Sequence, residues 1–279
     1  MYTLTLLLNR VLSIVPFSWR GRIKNIPLVG WAQRAVTAAV LNGQEFVHES
    51  DAGPARGVRF VVQLPEDKGI WTGTYEAEFA AGVGKAVRPG MVCYDIGGWH
   101  GFFAGIMAAQ GAREVHVFEP LPANAERIAR LAELNPQFSF KLHRCALGHQ
   151  VGHVDLCILP QSSMAKIAES LFQPEAFSTE RLSVPMATLD SIVSEGNAPP
   201  PEFVKIDVEG AELLVLRGAH ETLRRHRPIV FAEIHSAALF AECSRLLSDL
   251  GYTIELIGPS GPSDGSDAPV HIRATAQPR

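Results

Sequence analysis

Four apolar runs in this 279-residue chain stop at residues that can bind a ligand or move a proton: Asp95, Glu119, Asp207, and Glu233 with His235. A carboxylate at such a position accepts hydroxyl groups, takes up a proton or holds a cation. A histidine titrates near ~6.5 when unperturbed, so it can act as a base at neutral pH. The first of these acids opens the stretch Asp95–Gly101, DIGGWHG, in which Gly97, Gly98 and Gly101 fall within five residues. Glycines let a chain turn sharply and let its backbone approach a ligand closely. Glu119 follows about 20 residues after the loop, where an acid at a strand end can accept both hydroxyls of a ribose. The chemistry suggested is nucleotide binding with acid–base groups nearby. The bland alternative is a tight turn, with the acids capping the helices that follow. Glu209 and Glu212 fit that alternative best.

These residues need strands and helices to bring them together. Val92–Tyr94 is β-prone, Phe102–Gln110 suits a helix that Gly111 ends, and Val115–Phe118 is a second strand. Strand, glycine loop, helix, strand, acid is half of a doubly wound nucleotide-binding sheet. Pro122 opens a helix to about Leu134. Phe138–Leu142 is a third strand, and the backbone of Cys145, Ala146 and Leu147 at its end is placed to border an adenine. Val151–Leu159 is an additional strand, and Gln161–Ser183 a polar stretch that can cover a site or serve no role. Thr188–Val193 leads into a short helix. Phe203–Ile206 is a strand ending at Asp207, followed by a helix from Ala211 to Arg217. Ile229–Ala232 ends at Glu233-Ile234-His235, Ala237–Leu250 is an amphipathic helix, and Tyr252–Ile257 is a strand. Val270–Ala274 reads as an edge strand able to pair antiparallel with it. Alternating strands and helices from residue 92 argue a mainly parallel α/β sheet with its ligands beyond the strands' carboxyl ends.

Ahead of this lie a hairpin, Glu45–Leu64, a loop, Pro65–Gly73, and a helix, Thr74–Val87. Residues 1–44 hold no Asp or Glu but five basic residues, with Leu4, Leu7, Leu8, Val11, Leu12 and Val15 on one helical face. Its apolar run, interrupted by Asn9 and Arg10, is too short to span a bilayer and makes a poor signal peptide. It reads as a helical appendage or as a peripheral contact with an anionic membrane. The net charge of −4 points away from nucleic acid. Cys93, Cys145, Cys157 and Cys243 have no metal-site spacing and suit reduced thiols in the cytoplasm.

Several ordered motifs carry a resemblance: DIGGWHG, Phe118-Glu119-Pro120, Thr188-Leu189-Asp190, KIDVEGAE from Lys205 to Glu212, Leu216–Ala219, Arg227-Pro228 and Glu233-Ile234-His235. With Gly73–Glu76 ahead of them, they closely resemble the FkbM family of S-adenosylmethionine-dependent methyltransferases over roughly residues 70–257. The resemblance implies a class I, Rossmann-like methyltransferase fold of seven strands with the last antiparallel. Residues 1–75 would be an N-terminal helical and hairpin extension and residues 76–279 the methyltransferase domain. It implies methylation of hydroxyls on sugars, glycolipids or secondary metabolites, so the partner is a small molecule or glycan. Asp95, Gly97, Gly98, Gly101, Glu119 and Ala146 would hold the cofactor, with His235 as base and Asp207 orienting it or acting instead. A second version adds Mg²⁺ or Mn²⁺ held by Asp207, Glu233 and His235. The family loop usually reads D-x-G-A-N-x-G, and here Gly98 and Trp99 stand at the Ala-Asn positions. Two other functions share parts of the pattern: an NAD-dependent oxidoreductase, whose G-x-G-x-x-G spacing is missing here, and a non-catalytic nucleotide-fold binding module.

Overall fold

The computed structural model describes residues 45–158, 165–167, 180–258 and 269–277. The basic segment 1–44 lies outside them, as does most of the polar stretch Gln161–Ser183. The chain begins with an antiparallel hairpin, β1 (Glu45–Glu49) and β2 (Arg59–Gln63), and two helices, α1 (Lys68–Thr72) and α2 (Ala77–Ala86). The segment Pro65–Gly73, expected as loop, contains the single turn α1. Ile70 and Trp71 are buried there, and Gly73 closes the turn in the left-handed conformation. Burial decided it, not propensity, since five residues make a marginal helix alone.

The main sheet then builds in alternation: β3 (Val92–Ile96), α3 (Phe102–Ala109), β4 (Glu114–Phe118), α4 (Pro122–Leu134), β5 (Phe140–His143). Next come β6 (Ala146–Leu147), β7 (Gly152–Ile158), β8 (Ala165–Ile167) and β9 (Glu180–Ala187), a separate four-stranded sheet in the order β6-β9-β7-β8. The chain returns through α5 (Leu189–Ser194), β10 (Phe203–Ile206), α6 (Glu212–Arg217), α7 (His220–His226), β11 (Ile229–Ile234), α8 (Ala237–Asp249), β12 (Tyr252–Ile257) and β13 (Val270–Ala276). Helix starts follow local chemistry. Pro122 sits in the first turn of α4, Thr188 and Ser191 form a capping box on α5, and the Ser236 side chain accepts from Leu239 N at α8.

The seven-stranded sheet runs β12-β13-β11-β10-β3-β4-β5. The five strands from β11 to β5 are parallel, and β13 is antiparallel to both neighbours. This is the mixed α/β, class I methyltransferase arrangement. One detail differs from the sequence reading. β13 pairs with β12 as expected but is not the edge: it inserts between β11 and β12. Its Val270, Ile272 and Ala274 are buried, and β12 takes the exposed edge.

Strand alternation sends Cys93, Phe203 and Phe231 to one face, where α2, α3 and the β1–β2 hairpin share a core with them. Tyr94, Ile96, Val204 and Ile206 face the other side, against α5–α8. Gly105 of α3 lets Phe60 of the hairpin press in, because an added Cβ would lie 2.7 Å from the Phe60 ring. Among the described residues no helix is long and apolar enough to cross a membrane.

Candidate functional site

The glycine loop is shaped by its neighbours as much as by any ligand. A Cβ at Gly97 would lie 1.7 Å from the Asp207 carbonyl oxygen, at Gly98 2.2 Å from Val117, and at Gly101 2.6 Å from Leu131. Gly97 and Gly101 also have φ of +78°. The three glycines thus allow β3 to turn tightly against β10, β4 and α4. Between them Trp99 is held at φ +46°, left-handed backbone that costs a bulky residue roughly 1–2 kcal/mol. Asparagine tolerates that conformation better, which is a physical reason for the family residue at this position. Trp99 instead stacks on two rings, 3.9 Å from His100 and 5.2 Å from Tyr75, near-parallel to both.

Glu119, at the end of β4, faces the same loop. Its Oε2 accepts from Trp99 N at 2.9 Å and its Oε1 from Leu121 N at 2.9 Å. It is 4% exposed, and burial pushes its pKa up to about 7 against the pull of those N–H groups. The Asn124 side chain hydrogen-bonds it as well, which leaves about one of its four acceptor sites open to a ligand. A cavity of ≈ 420 Å³ opens beside it, at the carboxyl ends of β3, β4 and β10 and against β6 and β7. Leu121, Ala146, Leu147 and Leu156 give it an apolar wall, and Tyr75, Asp207 and Glu209 a polar, acidic end.

Beyond Asp207 and Glu209 the polar groups converge. His235 is buried, with Nδ1 2.9 Å from Glu212 Oε1 and Nε2 3.4 Å from Glu209 Oε2, 4.0 Å from Asp207 and 3.9 Å from Glu233. Burial alone would lower its pKa. The Glu212 hydrogen bond and the surrounding acids outweigh that and hold it at about 9. His235 therefore carries a proton at neutral pH. Glu209 goes the other way: burial, with Asp207, Glu233 and Glu212 nearby, lifts it to about 7 despite His235. Glu76 is likewise lifted to about 7, by burial and then by Glu233 and Asp207. His271 Nε2 lies 3.3 Å from Glu233 and 3.6 Å from Glu76. Ligand atoms of Asp207, Glu233 and His235 all lie within 4.8 Å of one another, and so do those of Glu76, Glu233 and His271. Glu76 and Glu209 also have left-handed backbone, so three of the four described non-glycine residues with positive φ border this one site. Such outliers cluster where function constrains the chain.

The structure thus gathers Gly97, Glu119, Ala146 and Asp207 around one cavity, with His235 and Glu233 behind its acidic end. Asp95, Gly98 and Gly101 do not line it. Asp95 is fully buried, 3.3 Å from Lys205 Nζ, which also reaches Asp207 Oδ2 at 3.3 Å and donates to Gly97 O at 2.9 Å. Asp207 and Asp95 hold the Lys205 pKa above its ordinary value although burial opposes it. Tyr75, Glu76, Glu212 and His271 belong to the site and were not singled out as site residues in the sequence. Gly73–Glu76 had stood out there only as a motif, and nothing local marks His271, which the β11–β13 pairing brings opposite Glu233.

Comparison with known proteins follows from this geometry. The family model for the Methyltransferase FkbM domain matches residues 91–254. Over 166 residues the chain is 29% identical to the hexuronic acid methyltransferase AglP of Haloferax volcanii, covering 59% of this chain and 64% of AglP. A solved methyltransferase FkbM from Methylobacillus flagellatus KT superposes with a TM-score of 0.46 at 16% identity, covering 74% of this chain and 52% of that one. The Pyrococcus abyssi tRNA (uracil-54, C5)-methyltransferase, solved with S-adenosyl-L-homocysteine, gives 0.45 at 15% identity, covering 82% of this chain and 43% of that one. The chain spans less than two thirds of AglP.

Proposed function

Since the chain belongs to the FkbM methyltransferase family, we propose that it uses S-adenosylmethionine to methylate a hydroxyl of a sugar, glycolipid or related secondary metabolite. The observation that carries this reading is the cavity at the strand ends with Glu119 at its rim and bare Gly97 backbone beside it. The residues present fit the cofactor. An apolar wall of Leu121, Ala146, Leu147 and Leu156 suits a purine, and a carboxylate at the strand end beside the glycine loop suits a ribose hydroxyl. The methionine portion would lie along Gly97 and Trp99. Asp95 and Lys205 would act from behind, by fixing the Gly97 carbonyl. When bound, the cofactor supplies an electrophilic methyl group on a sulfonium.

The chain's own work is to place a hydroxyl and take its proton. Positioning of this kind is worth up to ~7–11 kcal/mol in favourable intramolecular cases. Glu209, lining the cavity with a pKa of about 7, is the group matched to accept that proton at neutral pH. His235, read from sequence as the base, is held as a cation by Glu212 and would orient Glu209 and Asp207. Asp207, beside Lys205, would receive the hydroxyl as a hydrogen-bond acceptor. AglP is a hexuronic acid methyltransferase, which favours a sugar acceptor. In a second version, favoured by the spacing of Asp207, Glu233 and His235, a divalent ion would take the place of the proton on His235, be held by these three residues and orient the hydroxyl. Mixed imidazole and carboxylate donors suit Mn²⁺ better than Mg²⁺.

Calorimetric titration with S-adenosylhomocysteine and, separately, NAD⁺ tests the reading. Binding of the first alone supports methyl transfer. Binding of NAD⁺ alone supports the oxidoreductase instead, and binding of neither the non-catalytic module.

A further inference from the structure

We infer that the segment ahead of the central sheet is a working part of the cofactor site: Asp67, through His100 and Arg127, positions the loop Gly97–Gly101 for binding. This rests on the methyl-transfer reading above. Asp67, at the start of α1, is fully buried yet makes three contacts. It accepts from Gln63 N at 2.7 Å, from Arg127 Nη2 at 2.5 Å and from His100 Nδ1 at 2.6 Å. Arg127 Nη1 lies 3.1 Å from Nδ1 and 2.9 Å from Nε2 of His100, against the face of the ring, and Nη2 also donates to Val61 O at 3.2 Å. Held at Nδ1 by Asp67 and against its face by Arg127, the His100 ring is fixed in place and in rotation, and burial lowers its pKa.

His100 belongs to the glycine loop, and its ring stacks on Trp99. Tyr75, from the segment leading into α2, stacks on the indole as well. The indole is therefore braced by a ring held by Asp67 and by a ring from the same N-terminal segment. What this bracing maintains is the left-handed backbone at Trp99, in which its N–H meets Glu119 Oε2. An asparagine would adopt that backbone with less outside support. This chain carries a residue that resists it and supplies the support from residues 63–75. Glu66 and Tyr75 line the cavity directly, so the same segment both completes and braces it.

The test is a double-mutant cycle read by S-adenosylhomocysteine affinity, with thermal unfolding confirming that each protein is folded. Asp67→Asn keeps shape but turns an N–H₂ toward His100 or Arg127. In the wild-type background it should weaken binding by about tenfold, and in the Trp99→Asn background by no more than about twofold, the coupling expected of residues in one network. If Asp67→Asn does not fold, Arg127→Gln, whose side chain is partly exposed and outside the cavity, takes its place in the same cycle. Equal losses in both backgrounds, or no loss in the wild type, would overturn the proposal, since a merely structural Asp67 would not depend on residue 99. Loss of all binding in Trp99→Asn alone would also overturn it. Wild-type protein that does not bind at all, seen before any substitution, would overturn the methyl-transfer reading and this inference with it.

Discussion

His235 Nδ1 lies 2.9 Å from Oε1 of Glu212, a carboxyl group with no solvent exposure. The histidine titrates near 6.5 unfolded and about 9 in the fold. The folded state holds the proton more tightly, so this contribution to stability is complete below about pH 6.5 and is lost as pH rises through about 9. Glu76, Glu119 and Glu209, raised from 4.5 to about 7, act in the same sense over a lower window, because their buried carboxyls also bind protons more tightly when folded. Thermal midpoints should therefore fall from about pH 5 to about pH 9. In Glu212→Gln the upper part of the decline should flatten. Identical slopes in wild type and variant would show that Glu212 does not set the His235 proton.

Turnover should follow Glu209 rather than His235. With Glu209 as base, the rate rises with pH through about 7 and levels off. With His235 as base it would keep rising to about 9. Glu209→Gln should lower kcat by about 10²–10⁴-fold, the range for loss of a general base, while S-adenosylhomocysteine still binds. A rise centred near pH 9 that survives in Glu209→Gln would return the role to His235.

Asp95→Ala should act on stability. It leaves Lys205 buried with one of its two carboxylate partners gone, and breaking a buried ion pair costs about 3–5 kcal/mol. Chemical denaturation measures this. Unchanged stability with a large loss of cofactor affinity would instead make Asp95 a direct ligand contact.

The backbone of this architecture was legible because the apolar runs that begin at Val92, Val115, Phe203 and Ile229 each meet an acid, Asp95, Glu119, Asp207 or Glu233. Phe203–Ile206 and Tyr252–Ile257 have the bounds expected of them. The insertion of β13 between β11 and β12 was not legible, since alternation marks a half-buried strand without saying which neighbour it takes. The glycines were visible, but their reason was not. Gly97 is required by the Asp207 carbonyl, more than a hundred residues away in sequence. The protonation of His235 was out of reach for the same cause: it depends on Glu212, which in sequence looks like a helix-capping acid.

Manganese titration of the wild type followed by electron paramagnetic resonance should show one bound ion if the acidic end takes a divalent cation. Glu233→Gln, which removes the carboxylate common to both ligand sets, should abolish it. Equal binding by wild type and variant would remove the ion from the account.

The most direct test of the central claim is S-adenosylhomocysteine affinity in the wild type and in Glu119→Ala. The wild type should bind, with affinity weakened in the variant by about 1–3 kcal/mol, the cost of removing a buried hydrogen-bond partner. Undiminished affinity in a folded Glu119→Ala would contradict it, because the ribose could not then be held where the cavity, the glycine loop and β4 meet.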